Sequence, residues 1–204
     1  MDSRFEIEIK LRVISPAKIR QRIRSLGFHP VTPRLLERNT LFDFSDARLR
    51  SEHVALRLRT TGGKSLLTLK GKPRASSKHK VREEIETTVD SPQRLRRILD
   101  HLGLREVFSY TKHRTAYAPS GRPAKGRSEL LLYDETPVGN FLELEGSARW
   151  IDEIARRLGY CQKDYITSSY PSLYLAKRRS QPSAARLPAN PGSLAGRARR
   201  SGQN

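Results

Sequence analysis

An α+β fold, with helices covering one face of an extensive β-sheet, is predicted from three features of the 204-residue sequence. About eight segments alternate apolar and polar side chains at the two-residue period of a strand. Three helical runs each carry a single apolar stripe, the kind of cover that one face of a sheet needs. The polar positions of the strands are almost purely ionic, where a solvated face ordinarily mixes Ser, Thr, Asn and Gln among its charges.

The first strand is Glu6-Ile7-Glu8-Ile9-Lys10, which places Glu6, Glu8 and Lys10 on one face and Ile7 and Ile9 on the other. Ser15-Pro16 opens a helix whose stripe of Ile19, Ile23 and Leu26 ends at Gly27, with Pro just inside the start and Gly at the stop. Thr40 to Phe44 reads as a short strand. Val54 to Thr60 reads as another, with Arg57 and Arg59 opposed to Leu56 and Leu58. Gly62-Gly63 is a hairpin turn, and the returning arm Leu66 to Lys70 sets Lys70 against Leu67 and Leu69. Residues 73 to 79 read as a loop. The next strand carries Arg82, Glu84 and Glu86 on one face, around Val81 and Ile85.

Ser91-Pro92 then starts a second helix, striped by Leu95, Ile98, Leu99 and Leu102 and ending at Gly103. A strand with two carboxylates, a Ser-Pro helix ending in Leu-Gly and further strands thus occur twice in the same order. The second set of strands is Tyr110 to Tyr117 with Lys112 and Arg114, Glu129 to Asp134, and Asn140 to Glu145 with Glu143 and Glu145 against Leu142 and Leu144. A third helix through Ile151, Ile154, Ala155 and Leu158 stops at Gly159, and Ser168 to Leu175 is expected to form one more short helix. The division expected is a folded domain over 1–177 and a basic tail over 178–204, whose Arg, Ser, Pro, Ala and Gly composition lacks periodicity and predicts disorder.

The chain has 40 Lys and Arg against 21 Asp and Glu, a formal net charge of +19, so its partner is expected to be an anion. From Lys177 onward no acid opposes the basic residues, which predicts at most weak polyanion binding by the tail. Cys161 is the sole cysteine, which excludes an intrachain disulfide and a multi-cysteine zinc site. The five His show no ligand spacing, and Gly62-Gly63-Lys64 lacks the flanks of a phosphate loop. Trp150 and the tyrosines read as core or rim. No apolar segment of signal-peptide or membrane-span length precedes the first strand, so a cytoplasmic location away from membranes is expected.

Two architectures accommodate these strands. A sandwich would bury the apolar faces and leave the charges in water. A sheet closed into a barrel with its helices outside would enclose the charges, which then need a polyanion and a metal to balance them.

The ordered motifs resemble the CYTH superfamily of triphosphate tunnel metalloenzymes, and most closely its bacterial class IV adenylyl cyclases. That family's ExExK signature stands here as Glu6-Ile7-Glu8-Ile9-Lys10. It is followed by Asn39-Thr40-Leu41-Phe42-Asp43, Leu56-Arg57-Leu58-Arg59, Leu67-Thr68-Leu69-Lys70-Gly71, Arg82-Glu83-Glu84-Ile85-Glu86, Lys112-His113-Arg114, Asp134-Glu135 and Phe141-Leu142-Glu143-Leu144-Glu145-Gly146. Each motif alone is common, and the series in order is specific.

The resemblance implies a closed eight-stranded antiparallel β-barrel, a tunnel with helices packed outside. It implies that Lys10, Arg57, Arg59, Lys70, Arg82, Lys112 and Arg114 bind phosphate. Glu6, Glu8, Glu143 and Glu145 would be the main ligands of Mg or Mn, with Glu84, Glu86 and Asp134 supporting the metal or a water. Glu6, Glu8, Lys10, Arg59, Lys112, Glu143 and Glu145 would carry the catalysis. The substrate implied is a nucleoside triphosphate or inorganic triphosphate, handled by a monomer or homodimer. Cyclisation of ATP to cyclic AMP and pyrophosphate is the first reading, a triphosphatase the second, and a non-catalytic polyphosphate- or RNA-binding module the reading from another class. Retained carboxylates favour an enzyme, because a pure polyanion binder would gain affinity by losing them. Some family members carry a lysine in the short C-terminal helix that plugs the tunnel, and Ser168-Ser169-Tyr170-Pro171-Ser172-Leu173 has none. Base recognition is expected on loops 73–79 and 118–127.

Overall fold

A computed structural model describes residues 4–74, 78–119 and 129–180. Eight strands close into an antiparallel barrel: β1 (Arg4–Val13), β3 (Leu35–Phe44), β4 (Ala55–Thr61), β5 (Lys64–Lys70), β6 (Lys80–Thr88), β7 (Leu104–Pro119), β8 (Leu130–Thr136) and β9 (Gly139–Glu145). Around the ring the order is β1-β6-β5-β4-β3-β7-β8-β9. Closure comes from β1, whose first half pairs with β6 over Arg4 to Glu8 and whose second half pairs with β9 over Glu8 to Val13. Two short strands lie outside the ring: β2 (Phe28–Pro30) on β7 and β10 (Tyr165–Ile166) on β1.

The helices α1 (Pro16–Ser25), α3 (Pro92–His101) and α4 (Ala148–Arg157) stand where their stripes and stops predict. Each is followed by a Leu-Gly pair, and Gly27, Gly103 and Gly159 have φ of +80°, +86° and +89°, a left-handed geometry that glycine adopts without steric cost. Ser91 and Ser147 cap α3 and α4 by accepting the Arg94 and Trp150 N–H at 3.4 and 3.2 Å, whereas Ser15 makes no such bond. The four-residue α2 (Arg48–Ser51) is too short to show a stripe. The buried Asp43 carboxylate organises it by accepting the N–H groups of Phe44, Leu49 and Arg50 at 2.8 to 3.0 Å.

The largest hydrophobic cluster lies outside the ring, while a smaller one of Tyr110, Val138, Phe141 and Tyr170 includes side chains that line the interior. Ile9 and Leu11 of β1 and Leu142 and Leu144 of β9 are fully buried against Ile19 and Ile23 of α1 and Ile151, Ile154 and Ala155 of α4. A second cluster, Phe42, Leu58, Leu99 and Leu104, is packed under α3. With the apolar side taken up by helices, alternation drives the ionic side inward, so the barrel is correct and the sandwich with solvated charges is not.

Strands β3 and β7 begin earlier than their apolar alternation shows. Before Thr40 and before Tyr110 neither set of alternate residues is uniformly apolar, and a bulge opposite Leu41/Phe42 shifts the register between the two. The last helix, α5 (Tyr170–Ser180), runs three residues past the expected domain boundary at 177. Residues 181–204 of the tail, 75–77 of loop 73–79 and 120–127 of loop 118–127 lie outside the described residues. Among the described residues no helix is long and apolar enough to cross a membrane.

Candidate active site

The barrel encloses a cavity of about 1190 Å³, and every site residue expected from sequence except Asp134 lines it. The side chains sort into three groups.

In the first, Glu6, Glu8 and Glu145 each offer a carboxylate oxygen within 4.8 Å of the others. Glu6 and Glu8 share a face of β1, and Glu145 of β9 is directly opposite Glu8 in the ladder. Lys70 Nζ lies 3.0 Å from Glu6 and also pairs with Glu84, Lys80 pairs with Glu8, and Lys10 bridges Glu8 and Glu143 at 3.4 and 3.3 Å. Burial works to raise Glu6 and Glu8, but neighbouring ammonium groups outweigh it and hold both carboxyls below their ordinary range. Glu145 and Glu84 go the other way. Burial, reinforced by the charge on Glu6, pushes Glu145 up to about 8, and burial with a hydrogen bond to Glu6 pushes Glu84 up to about 7. A set of carboxylates under mutual repulsion, of which Glu8 is buried and Glu6 and Glu145 are half-buried, suits a hard divalent cation, which takes oxygen ligands and removes that repulsion.

The second group surrounds Asp134, which has no exposed surface. Arg114 donates to both of its oxygens at 2.6 Å, Lys112 Nζ donates at 2.8 Å, and the Tyr170 hydroxyl of α5 donates at 2.6 Å. Asp134 is not one of the three carboxylates that cluster within 4.8 Å of one another. It sits behind the lining and fixes the cations in front of it. Glu143 also falls outside the first cluster, since Arg114, Lys10 and Lys112 surround it. The ammonium groups of Lys10 and Lys112 stand 5.4 and 4.7 Å from the centre of the Tyr170 ring.

The third group consists of guanidinium groups with capacity to spare. The Nε atoms of Arg57, Arg59 and Arg82 are buried with no hydrogen-bond partner among the described residues. Arg57 reaches only Thr68 Oγ1 at 3.4 Å, Arg59 lies 3.8 Å from Glu37, and Arg82 donates to the His53 carbonyl at 3.3 Å. Glu86 accepts from Thr68 at 3.0 Å and so supports this wall of the cavity. Buried N–H donors without a hydrogen bond, on planar guanidinium groups, are suited to an anion with several oxygens. Beside them Leu41, Val54, Val107, Phe108, Tyr110 and Leu175 give the same cavity an apolar stretch.

Three residues escape the reading of the sequence. Glu37 of β3 is buried among Arg59, Lys112 and Arg114; burial works to raise it, yet Arg114 and Lys112 bring it down to about 2. The signal was there, because Glu37 shares the face of Asn39 and Leu41 once β3 is extended to its true start. Lys80 continues the Arg82, Glu84, Glu86 alternation back by one step. Tyr170 carried no signal, since nothing in α5 tells which side chain meets Asp134. Lys177 donates to the Pro137 carbonyl at 2.6 Å, tying α5 to the β8–β9 turn, and does not line the cavity.

The fold and the family are shared with known proteins. A protein of Methanocaldococcus jannaschii, provisionally named an adenylate cyclase, is 32% identical over 179 residues, covering 83% of this chain and 98% of that protein. A structure from Vibrio parahaemolyticus with the same provisional name superposes with a TM-score of 0.72 at 18% identity, covering 85% of this chain and 99% of that one. A Hippeastrum protein, described as a provisionally assigned adenylyl cyclase with a dominant triphosphatase activity, superposes with a TM-score of 0.58 at 24% identity, covering 84% and 96%. The model of the CYTH domain matches residues 4–170, which span the closed barrel and reach the Tyr170 that abuts its interior, and the chain belongs to the CYTH domain family.

Proposed function

We propose that this chain is a divalent-metal-dependent enzyme that acts on nucleoside triphosphates, converting ATP to cyclic AMP and pyrophosphate. The observation that carries the reading is one cavity holding both a three-carboxylate cluster and guanidinium groups whose buried Nε atoms make no hydrogen bond among the described residues. A Mg or Mn ion held by Glu6, Glu8 and Glu145 would neutralise charge on nonbridging phosphate oxygens and orient them. Arg57, Arg59 and Arg82 line the cavity and bind the phosphate chain through their guanidinium groups. Lys112 and Arg114, held by Asp134, Glu37 and Glu143, keep positive charge at a fixed place along that chain. Lys10, shared by Glu8 and Glu143, links the two groups. The apolar side chains Leu41, Val54, Val107, Phe108, Tyr110 and Leu175 suit a nucleoside better than a bare triphosphate. In the reaction the ribose 3′ oxygen bonds to the α-phosphorus, the bond from that phosphorus to the bridging oxygen breaks, and pyrophosphate leaves, the proton lost by the 3′ hydroxyl being balanced by protonation of the departing pyrophosphate.

A second reading, hydrolysis of a triphosphate, is favoured by the activity described for the Hippeastrum protein. Incubation with ATP and separately with inorganic triphosphate, under Mg and then Mn, separates the readings by product. Cyclic AMP with pyrophosphate is expected. Orthophosphate with ADP from ATP, or with pyrophosphate from triphosphate, and no cyclic AMP, would replace the cyclase by the hydrolase, and binding without product under either metal would leave a polyphosphate- or RNA-binding module.

A further inference from the structure

The carboxylate cluster is already occupied by the protein's own cations. Lys80 Nζ is paired with Glu8 Oε1, with only 10% of the Lys80 side chain exposed, and Glu8 is its one ion-pair partner among the described residues. The other ammonium groups nearby each have a second anion: Lys70 keeps Glu84 when Glu6 is taken away, and Lys10 keeps Glu143. Lys80 alone would be stranded if Glu8 turned to another cation. A buried charge that loses its partner is costly, so metal entry by itself is opposed at this position. Lys80 lines the same cavity as Arg57 and Arg59, where a bound polyanion would supply the missing negative charge.

We infer that Lys80 is the resident counter-cation of the cluster, and that a divalent ion arriving at Glu8 hands the Lys80 ammonium over to the anionic ligand, so that metal and triphosphate bind cooperatively. The inference rests on the reading that Glu6, Glu8 and Glu145 hold a divalent ion. It assigns to Lys80 a positioning role: it opposes metal in the empty cavity and grips phosphate in the filled one. By linkage, the factor by which triphosphate tightens metal equals the factor by which metal tightens triphosphate.

The test is Lys80→Met, which keeps the length of the side chain and removes its charge. Manganese binding is followed by the electron paramagnetic resonance of the free ion, and inorganic triphosphate binding by calorimetry, each with and without the other ligand. In the variant, manganese alone should bind more tightly, triphosphate in the presence of manganese more weakly, and the mutual enhancement should shrink by about fivefold or more. Lys80→Arg, which keeps the charge, should retain weak binding of manganese alone. A folded Lys80→Met protein that binds manganese alone no better than the unaltered chain overturns the role of Lys80 while leaving the metal site intact. Failure of both proteins to bind manganese, with or without triphosphate, overturns the metal reading itself and the inference with it.

Discussion

Replacing Asp134 by Asn distinguishes a carboxylate that orders cations from one that binds metal. Asn preserves the volume and one acceptor, but it removes the charge facing Lys112 and Arg114 and breaks the paired bonds from the guanidinium. Taking one partner out of a buried ion pair costs about 3–5 kcal/mol. Glu37 and Glu143 still flank the same cations, and the remaining acceptor can keep Tyr170, so the low end of that range, about 3 kcal/mol, is expected. For a chain of this size that corresponds to a fall in melting temperature of roughly 6–12 °C. Thermal and urea unfolding of Asp134→Asn should show it without any metal present. Inorganic triphosphate should recover part of the loss, because the ligand restores negative charge beside Lys112 and Arg114. An Asp134→Asn variant as stable as the parent but unable to bind manganese would refute the reasoning and return Asp134 to the metal ligands.

Glu8→Gln should lower metal-dependent turnover by at least about 100-fold, the scale of losing one electrostatic contact to a transition state, with the circular dichroism spectrum unchanged; wild-type rates across Mg and Mn titrations would exclude this strand from the metal site. Arg57→Lys loses the planar fork and should weaken triphosphate binding by about 10- to 150-fold, equivalent to about 1.5–3 kcal/mol, as read by calorimetry. The raised carboxyls give a pH signature. Glu145 at about 8 and Glu84 at about 7 both lie above the ordinary 4.5, so the folded chain holds protons that the unfolded chain releases. Their contribution to stability is whole below about pH 4.5 and is lost as pH rises towards 8. Metal-free urea midpoints should therefore fall between about pH 5 and pH 8, and Glu145→Gln should make that fall shallower.

Alternation along the chain determined which residues share a face, because successive side chains of a strand point to opposite sides wherever the strand ends up. Glu6, Glu8 and Lys10, Arg57 and Arg59, and Glu143 and Glu145 could therefore be grouped before any fold was known. The helix stops were legible for a similarly local reason, since only a glycine takes the left-handed turn after Leu26, Leu102 and Leu158 at no cost. Alternation is symmetric, however, and does not say which face is inside. That was decided by the pairing of β1 with β9, which joins Glu8 to Glu145 across most of the chain, and by α1, α3 and α4 claiming the apolar side. The same long-range pairing divided the carboxylates by role. Glu145 meets Glu6 and Glu8, whereas Glu143, two residues earlier on the same strand, is held by Arg114, and Asp134 is sealed behind Lys112 by a tyrosine from α5. A charge takes its role from what surrounds it at about 3 to 4 Å, and those neighbours are supplied by ring closure and by the last helix, which local sequence pattern does not encode.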